Sequence, residues 1–324
     1  MKPRRSFFPQ HCCAICAYLL IAVFQPASAD TITVRDASGR AVAISDASRI
    51  VSVGGAVTEI LYALGLESRV VAVDTTSVFP KHALRDKPNV GYMRQLSPEG
   101  VLGLGPSLVL AAEGAGPKET IAVIEASKTP LVNVPDRFTG DGILEKIRLI
   151  AAATGSEAKG DCLASAAKAD LDAVAALREK IRAGAGKPLR VLFLLSFLND
   201  RPMVAGRNTA ADGVIALAGG VNAIAEFEGY KIVNDEAIVA AKPDAILVMQ
   251  RPDLALGAEQ VFSNAAFRLT PAAANKAFVA MDGLYLLGFG PRTARAARDL
   301  GVALYPALGA QALPSDQAPP KACG

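Results

Sequence analysis

The feature that most constrains the fold is an internal repeat. At an offset of 137 residues, SPEGVLGLGPSLVLA (97–111) aligns with NDEAIVAAKPDAILVM (234–249), so that Glu99 meets Glu236 and Pro106 meets Pro243. The apolar run LVLA then meets AILV. Each segment reads as a helix feeding a buried strand. A second pair supports the first: TEILYALG (58–65) parallels ADGVIALAG (211–219), and each follows an apolar strand, RIVSVGG (49–55) or RVLFLLS (190–196). VVAVD (70–74) reads as the second strand of the first half and PLVNVP (130–135) as its fourth. Runs of Val, Ile and Leu alternating with helical stretches predict parallel sheets covered on both faces. Right-handed crossovers make each half a small α/β lobe.

Between the halves lies DCLASAAKADLDAVAALREKIRAG (161–184), rich in Ala, Leu and charged residues and free of Pro. That composition predicts one long helix, a stiff connector unlike a Gly/Ser linker. Gly184, Gly186 and Pro188 are expected to stop it. The predicted organisation is a leader over 1–29, an N-terminal lobe over 30–156, the linking helix over 157–187, a C-terminal lobe over 188–314 and a flexible Pro- and Ala-rich tail over 315–324. The fold class is α/β, with two similar lobes bearing parallel-type sheets, one rigid helix joining them and a ligand cleft between them. Pockets favour such interfaces and the C-terminal ends of strands.

The leader carries Lys2, Arg4 and Arg5, then an apolar run from Cys12 to Phe24, then Ala27-Ser28-Ala29. This is the pattern of a secretory signal, and cleavage is expected after Ala29. The chain holds 34 basic and 31 acidic residues, a net charge of +3. The leader's three basic residues account for that excess, so the mature chain is neutral and no nucleic-acid partner is implied. Three of the five cysteines also lie in the leader. Cys162 and Cys323 remain, and an exported compartment permits a disulfide between them without requiring it.

Nothing in the motifs demands an enzyme. His82, the one histidine after the leader, sits in SVFPKHALRD (77–86), read as a polar loop, with no G-x-S-x-G elbow to serve. GAGPKET (114–120) lacks the phosphate-loop spacing, and ALAGGVNA (216–223) is not a dinucleotide fingerprint. Both read as helix ends with Gly at the C′ position. No CxxCH is present for covalent haem attachment.

DTTSVFP (74–80), VGYMRQLSPEGVL (90–102), AAEGAG (111–116), PMVAGRNTAADGVIALAGG (202–220) and GYK (229–231) together carry a resemblance. In order and spacing they are similar to the periplasmic haem-binding proteins of bacterial ABC-type haem importers. The two-lobe architecture itself is shared with vitamin B12- and ferric siderophore-binding relatives, so a corrinoid or ferric siderophore in the same cleft is the alternative. The resemblance implies ferric haem b as transported ligand, with the Tyr92 phenolate as axial ligand of the iron. A free phenol ionises near pH ~10, so the iron must drive deprotonation, with help from a guanidinium. The resemblance assigns that guanidinium to Arg251 and a haem-propionate contact to Arg94. It names Phe79, Phe197 and Tyr230 as apolar walls. Permease docking falls to Glu99 on the first lobe and to Glu226 or Glu228 on the second. The expected partners are haem, an ABC permease with its ATPase subunits, and an outer-membrane haem receptor upstream. Some members carry a second-lobe histidine near the segment that here reads SFLNDRPMVAG (196–206). Its absence makes one haem per chain and five-coordinate, Tyr-only iron the expectation.

Overall fold

A computed structural model describes Met1, residues 31–251 and 256–308, and Cys323. The leader and the tail around Cys323 lie outside the described residues. The first lobe opens with an antiparallel hairpin, β1 (Ile32–Arg35) and β2 (Ala41–Ile44). There follow β3 (Ile50–Val53), α1 (Gly55–Ala63), β4 (Val70–Val73), α2 (Lys81–Asp86), α3 (Pro98–Leu102), β5 (Leu108–Ala112), α4 (Lys118–Ala126), β6 (Leu131–Val134) and α5 (Gly140–Ala153). Four of these strands form a parallel sheet in the order β4-β3-β5-β6. Every residue of β3 and β5 is buried, as strands covered on both faces must be.

The linking helix, α6 (Glu157–Ala185), is 29 residues long and ends at Gly186 with φ of 74°. Gly184 lies inside it, so the helix runs past the first expected stop. Cys162 in its first turns is disulfide-bonded to Cys323, with Cα atoms 6.0 Å apart. Among the described residues no helix is long and apolar enough to cross a membrane.

The second lobe contains β7 (Arg190–Leu198), β8 (Arg201–Ala205), α7 (Ala210–Leu217), β9 (Val221–Asn222), β10 (Tyr230–Ile232), α8 (Asp235–Ala241), β11 (Ala245–Gln250), α9 (Ala258–Ser263), α10 (Pro271–Ala274), β12 (Phe278–Asp282), α11 (Gly283–Leu287) and α12 (Thr293–Leu304). The repeat is met residue for residue: β5 and β11 begin at positions 137 apart. Ser97 and Asn234, equally spaced, both cap their helices, accepting from the Gly100 N–H at 2.9 Å and the Ala237 N–H at 3.1 Å. The lobes also differ. The second sheet, β10-β8-β7-β11-β12, is mixed, because β7 turns back into antiparallel β8 instead of leading straight into a helix. Asn199 and Asp200, both at positive φ, make that tight turn, a conformation these two residue types tolerate.

Two expectations need correction. His82 lies on the short helix α2, its Nε2 3.3 Å from Glu67 and its ring 5.4 Å from that of Tyr62, so it belongs to the outer packing of α1. Gly114 follows strand β5, not a helix, and Pro117 is the N-cap residue of α4; Gly219 does end a helix, α7.

The lobes meet through buried charges. Arg292 donates to both carboxylate oxygens of Glu59 on α1, each at 2.9 Å, with both side chains 4% exposed. The guanidinium also lies 3.4 Å from the centre of the Phe79 ring and 5.3 Å from that of Tyr285. Nearby, the buried Lys146 ammonium of α5 joins Asp136 at 2.6 Å and the Phe289 carbonyl at 3.2 Å. Phe138 meets Phe289 edge to face at 5.2 Å. Leu284 closes so tightly on Gly55 that a Cβ there would stand 2.6 Å from it.

Candidate functional site

The first lobe's polar loops gather beyond the C-terminal ends of its parallel strands, where ligands collect in α/β sheets. Asp74, fully buried just past β4, organises the floor. It accepts from the Gly54 N–H at 2.9 Å, the Thr76 N–H at 3.0 Å, the Thr76 hydroxyl at 2.7 Å and the Ser77 hydroxyl at 2.9 Å. Ser77 continues through Thr58 to Ser52, each step 2.7 Å. A satisfied buried network of this kind rigidifies what it holds.

The segment bearing Tyr92 is sewn onto this floor. The Gly91 carbonyl accepts from Thr75 N–H at 2.9 Å, and the Tyr92 carbonyl accepts from Gln95 N–H at 2.7 Å, forming a tight turn. The Gly116 N–H donates to the Met93 carbonyl at 2.9 Å, and the Leu96 N–H donates to the Gly116 carbonyl at 2.9 Å. Gly91 has φ of 92°, a left-handed backbone that favours glycine immediately before the tyrosine. Anchored on both flanks, Tyr92 keeps 38% of its surface exposed. Arg94 Nη1 donates to its phenolic oxygen at 2.7 Å. A guanidinium there makes a charge-assisted hydrogen bond to an oxygen that a hard cation such as ferric iron would take as ligand.

The second lobe carries an exposed tyrosine of its own. Tyr230 opens β10, pairs with Ala205 of β8 and meets the buried Phe193 ring edge to face at 6.3 Å. Burial pushes its phenol up, against the opposing pull of the Ala211 N–H, the Thr209 hydroxyl and the Arg94 guanidinium; the Asp136 carboxylate adds to the rise.

The other named residues fall as follows. Arg251 follows β11 with an exposed side chain, its stem beside Gly283. In this structure Arg94 Nη1 is the guanidinium atom that donates to the Tyr92 oxygen. Glu99 is exposed in the first turn of α3. Glu226 and Glu228 are exposed in the loop before β10; a Glu226 carboxylate oxygen accepts from Ala225 N–H at 3.0 Å, and Glu228 bridges Arg207 through the backbone. Phe79 packs on Arg292 in the lobe contact, and Phe197 packs on Phe267 at 5.9 Å within the second lobe. Of the three expected walls, Tyr230 is the exposed one, while Phe79 and Phe197 are half-buried. Among the described residues no group of three or more His, Cys, Asp and Glu side chains could hold a bare metal ion. Two concavities lie elsewhere, about 200 Å³ between α5, α6 and α7 and about 840 Å³ between the first hairpin and α5. Neither includes Tyr92. Sequence reasoning missed Asp136, Glu59 and Arg292, since no local pattern joins residues so far apart along the chain.

Comparison with known proteins places this geometry. The profile of the periplasmic binding protein family matches residues 50–284. Among solved structures, the periplasmic heme-binding protein RhuT from Roseiflexus sp. RS-1 is 41% identical, with a TM-score of 0.74 over 81% of this chain and 100% of its own. The periplasmic heme-binding protein BhuT, solved with two hemes, is 36% identical with a TM-score of 0.74 over 80% of this chain and 98% of its own. Among curated proteins, the ABC transporter substrate-binding lipoprotein YvrC of Bacillus subtilis is 31% identical over 219 residues, 67% of this chain and 68% of its own. A vitamin B12-binding protein of Vibrio cholerae is 27% identical over 211 residues, 63% of this chain and 71% of its own. These relatives are substrate-binding transport proteins and not enzymes. With its two lobes, its linking helix and this profile across most of its length, the chain belongs to the periplasmic binding protein family, and its structural neighbours are periplasmic haem-binding proteins.

Proposed function

We propose that this protein captures ferric haem in the periplasm and delivers it to an ABC permease driven by ATPase subunits. The observation that carries the reading is the exposed Tyr92 phenol with the Arg94 guanidinium 2.7 Å from its oxygen. Iron(III) is a hard cation and phenolate a hard donor, and tyrosinate is an established haem ligand. Arg251, at a strand end of the second lobe, is the cation that reaches the ligating Tyr92 across the cleft, and Arg94 is the one that meets a haem propionate. Glu99 and the Glu226–Glu228 pair are the docking charges, one set on each lobe. The segment 196–206 offers no histidine, which favours one haem per chain although BhuT holds two.

The vitamin B12-binding relatives support a second reading, a corrinoid in the same cleft. A competition experiment separates the two. The mature protein is titrated with ferric haem, then with cyanocobalamin, following the Soret band and the corrinoid spectrum. Saturation by one haem per chain, undisturbed by excess cyanocobalamin, is expected. Saturable cyanocobalamin binding without a specific Soret band would overturn the haem reading.

A further inference from the structure

Tyr92 hangs between two backbone anchors that lead to different places. Downstream, Met93 and Leu96 share their hydrogen bonds with Gly116, which follows β5 in the first lobe. Upstream, residues 88–91 are laid along the end of β4. Val73 N–H donates to the Pro88 carbonyl, Val90 N–H to the Val73 carbonyl and Thr75 N–H to the Gly91 carbonyl, each at 2.9 Å. The downstream anchor stays within the first lobe. The upstream one continues to the second.

The continuation runs through residues 74–80. Gly54 N–H donates to Asp74 at 2.9 Å, Gly55 N–H donates to the Thr76 hydroxyl at 2.9 Å, and the Thr58 and Ser77 hydroxyls meet at 2.7 Å. This segment and the first turn of α1 are therefore one unit, and both of its arms end on a single second-lobe side chain. Glu59, next after Thr58, accepts two bonds from Arg292. Phe79, two residues past Ser77, carries the same guanidinium over its ring at 3.4 Å. Arg292 uses its planar fork on one arm and its face on the other, which a lysine cannot do. The packing around it is close: a Cβ on Gly55 would strike both the Thr76 carbonyl and Leu284, and one on Gly290 would stand 3.5 Å from the Glu59 carboxyl carbon. Contacts packed this tightly switch between discrete arrangements and do not stretch smoothly.

We propose that Arg292 is a positioning residue for the iron ligand. By holding Glu59 and Phe79 together it keeps residues 74–80, and the Tyr92 approach laid along them, in the pose that ligates. When the permease parts the lobes, the clasp opens and the upstream anchor of Tyr92 slackens while the downstream anchor stays. Haem leaves because the ligand has lost its geometry. The inference rests on the haem-delivery reading above and deepens it, by naming the contact whose opening frees the cargo.

The test uses the ferric haem complex of the full mature chain, following the iron–phenolate stretch by resonance Raman and haem transfer to an excess apo-globin scavenger. Arg292→Lys keeps a charge beside Glu59 but has neither the fork nor the flat face. Phe79→Leu leaves the ion pair and removes the ring. Each is expected to shift the stretch and to release haem roughly fivefold faster, the scale of one partly buried cation–π contact. The double variant should do little more than either alone, because both cut one path. Lys146→Met is the control. It cuts the neighbouring lobe contact, whose bonds go to Asp136 and the Phe289 carbonyl, and should leave the stretch unshifted. Should Arg292→Lys not fold, Phe79→Leu against Lys146→Met decides alone. A wild-type stretch in the clasp variants would overturn the inference. An equal shift in Lys146→Met would also overturn it, by making lobe opening in general the cause. No specific Soret band in the wild type would instead remove the haem reading, and the positioning role with it.

Discussion

Two regions of the lobe boundary use the same chemistry to opposite ends. In the cleft, the Arg94 guanidinium lies 2.7 Å from the Tyr92 oxygen, and both side chains are open to solvent. In the clasp, the Arg292 guanidinium lies 2.9 Å from each Glu59 oxygen, and both are 4% exposed. The clasp groups satisfy one another and exclude water, so they join the lobes. The cleft groups remain accessible, so they can receive something. Bond length does not separate a structural contact from a binding one here; solvent access and spare bonding capacity do.

The comparison breaks most sharply at the clasp. Arg292→Ala leaves the Glu59 carboxylate buried and uncompensated and is expected to cost about 3–5 kcal/mol in thermal or urea unfolding. The double variant Glu59→Met with Arg292→Met should recover most of that loss, because no charge is left stranded. A double variant no more stable than the single would mean that the stack on Phe79, not the ion pair, carries the contact. Next in size is the Cys162–Cys323 bridge, which ties residues 161 apart in sequence. Reduction, or Cys162→Ser with Cys323→Ser, should cost about 2–5 kcal/mol in unfolding while leaving the haem spectrum unchanged.

The cleft should respond in the reverse sense. Arg94→Ala is expected to change stability by less than about 0.5 kcal/mol, as an exposed side chain should. Its haem affinity should fall roughly tenfold, the worth of one charge-assisted hydrogen bond. A large loss of stability with unchanged affinity would turn the distinction between the regions around. Smallest in vitro is Glu99→Ala, expected to leave both stability within about 0.5 kcal/mol and haem binding alone. Its effect belongs in transport, measured as haem uptake by vesicles carrying the permease and ATPase.

What was legible in the sequence divides along the same line. Local periodicity exposed the repeat, and the offset that aligns Pro106 with Pro243 also aligns the helix caps Ser97 and Asn234. The composition of 161–184 located α6 because helix propensity sums over neighbours. The β7–β8 hairpin was passed over, since Leu198-Asn199-Asp200-Arg201 carries its turn in backbone angles and not in a glycine. The short helix α2 around His82 has no periodic apolar face, so its sequence resembles that of a loop. Glu59 and Arg292 stand 233 residues apart, and nothing local selects that pair from the chain's other charges. Within the site, Tyr92 was reached by resemblance. That Arg94 is the guanidinium on its oxygen depends on the turn from Tyr92 to Gln95, which is tertiary information.

The central claim is that an exposed phenolate at Tyr92 holds the iron. Resonance Raman spectra of the ferric haem complex test it most directly, comparing wild type, Tyr92→Phe and Tyr230→Phe. The account predicts iron–phenolate modes in the wild type and in Tyr230→Phe, and their loss in Tyr92→Phe. Modes that persist in Tyr92→Phe would contradict it, because another residue would then be the ligand.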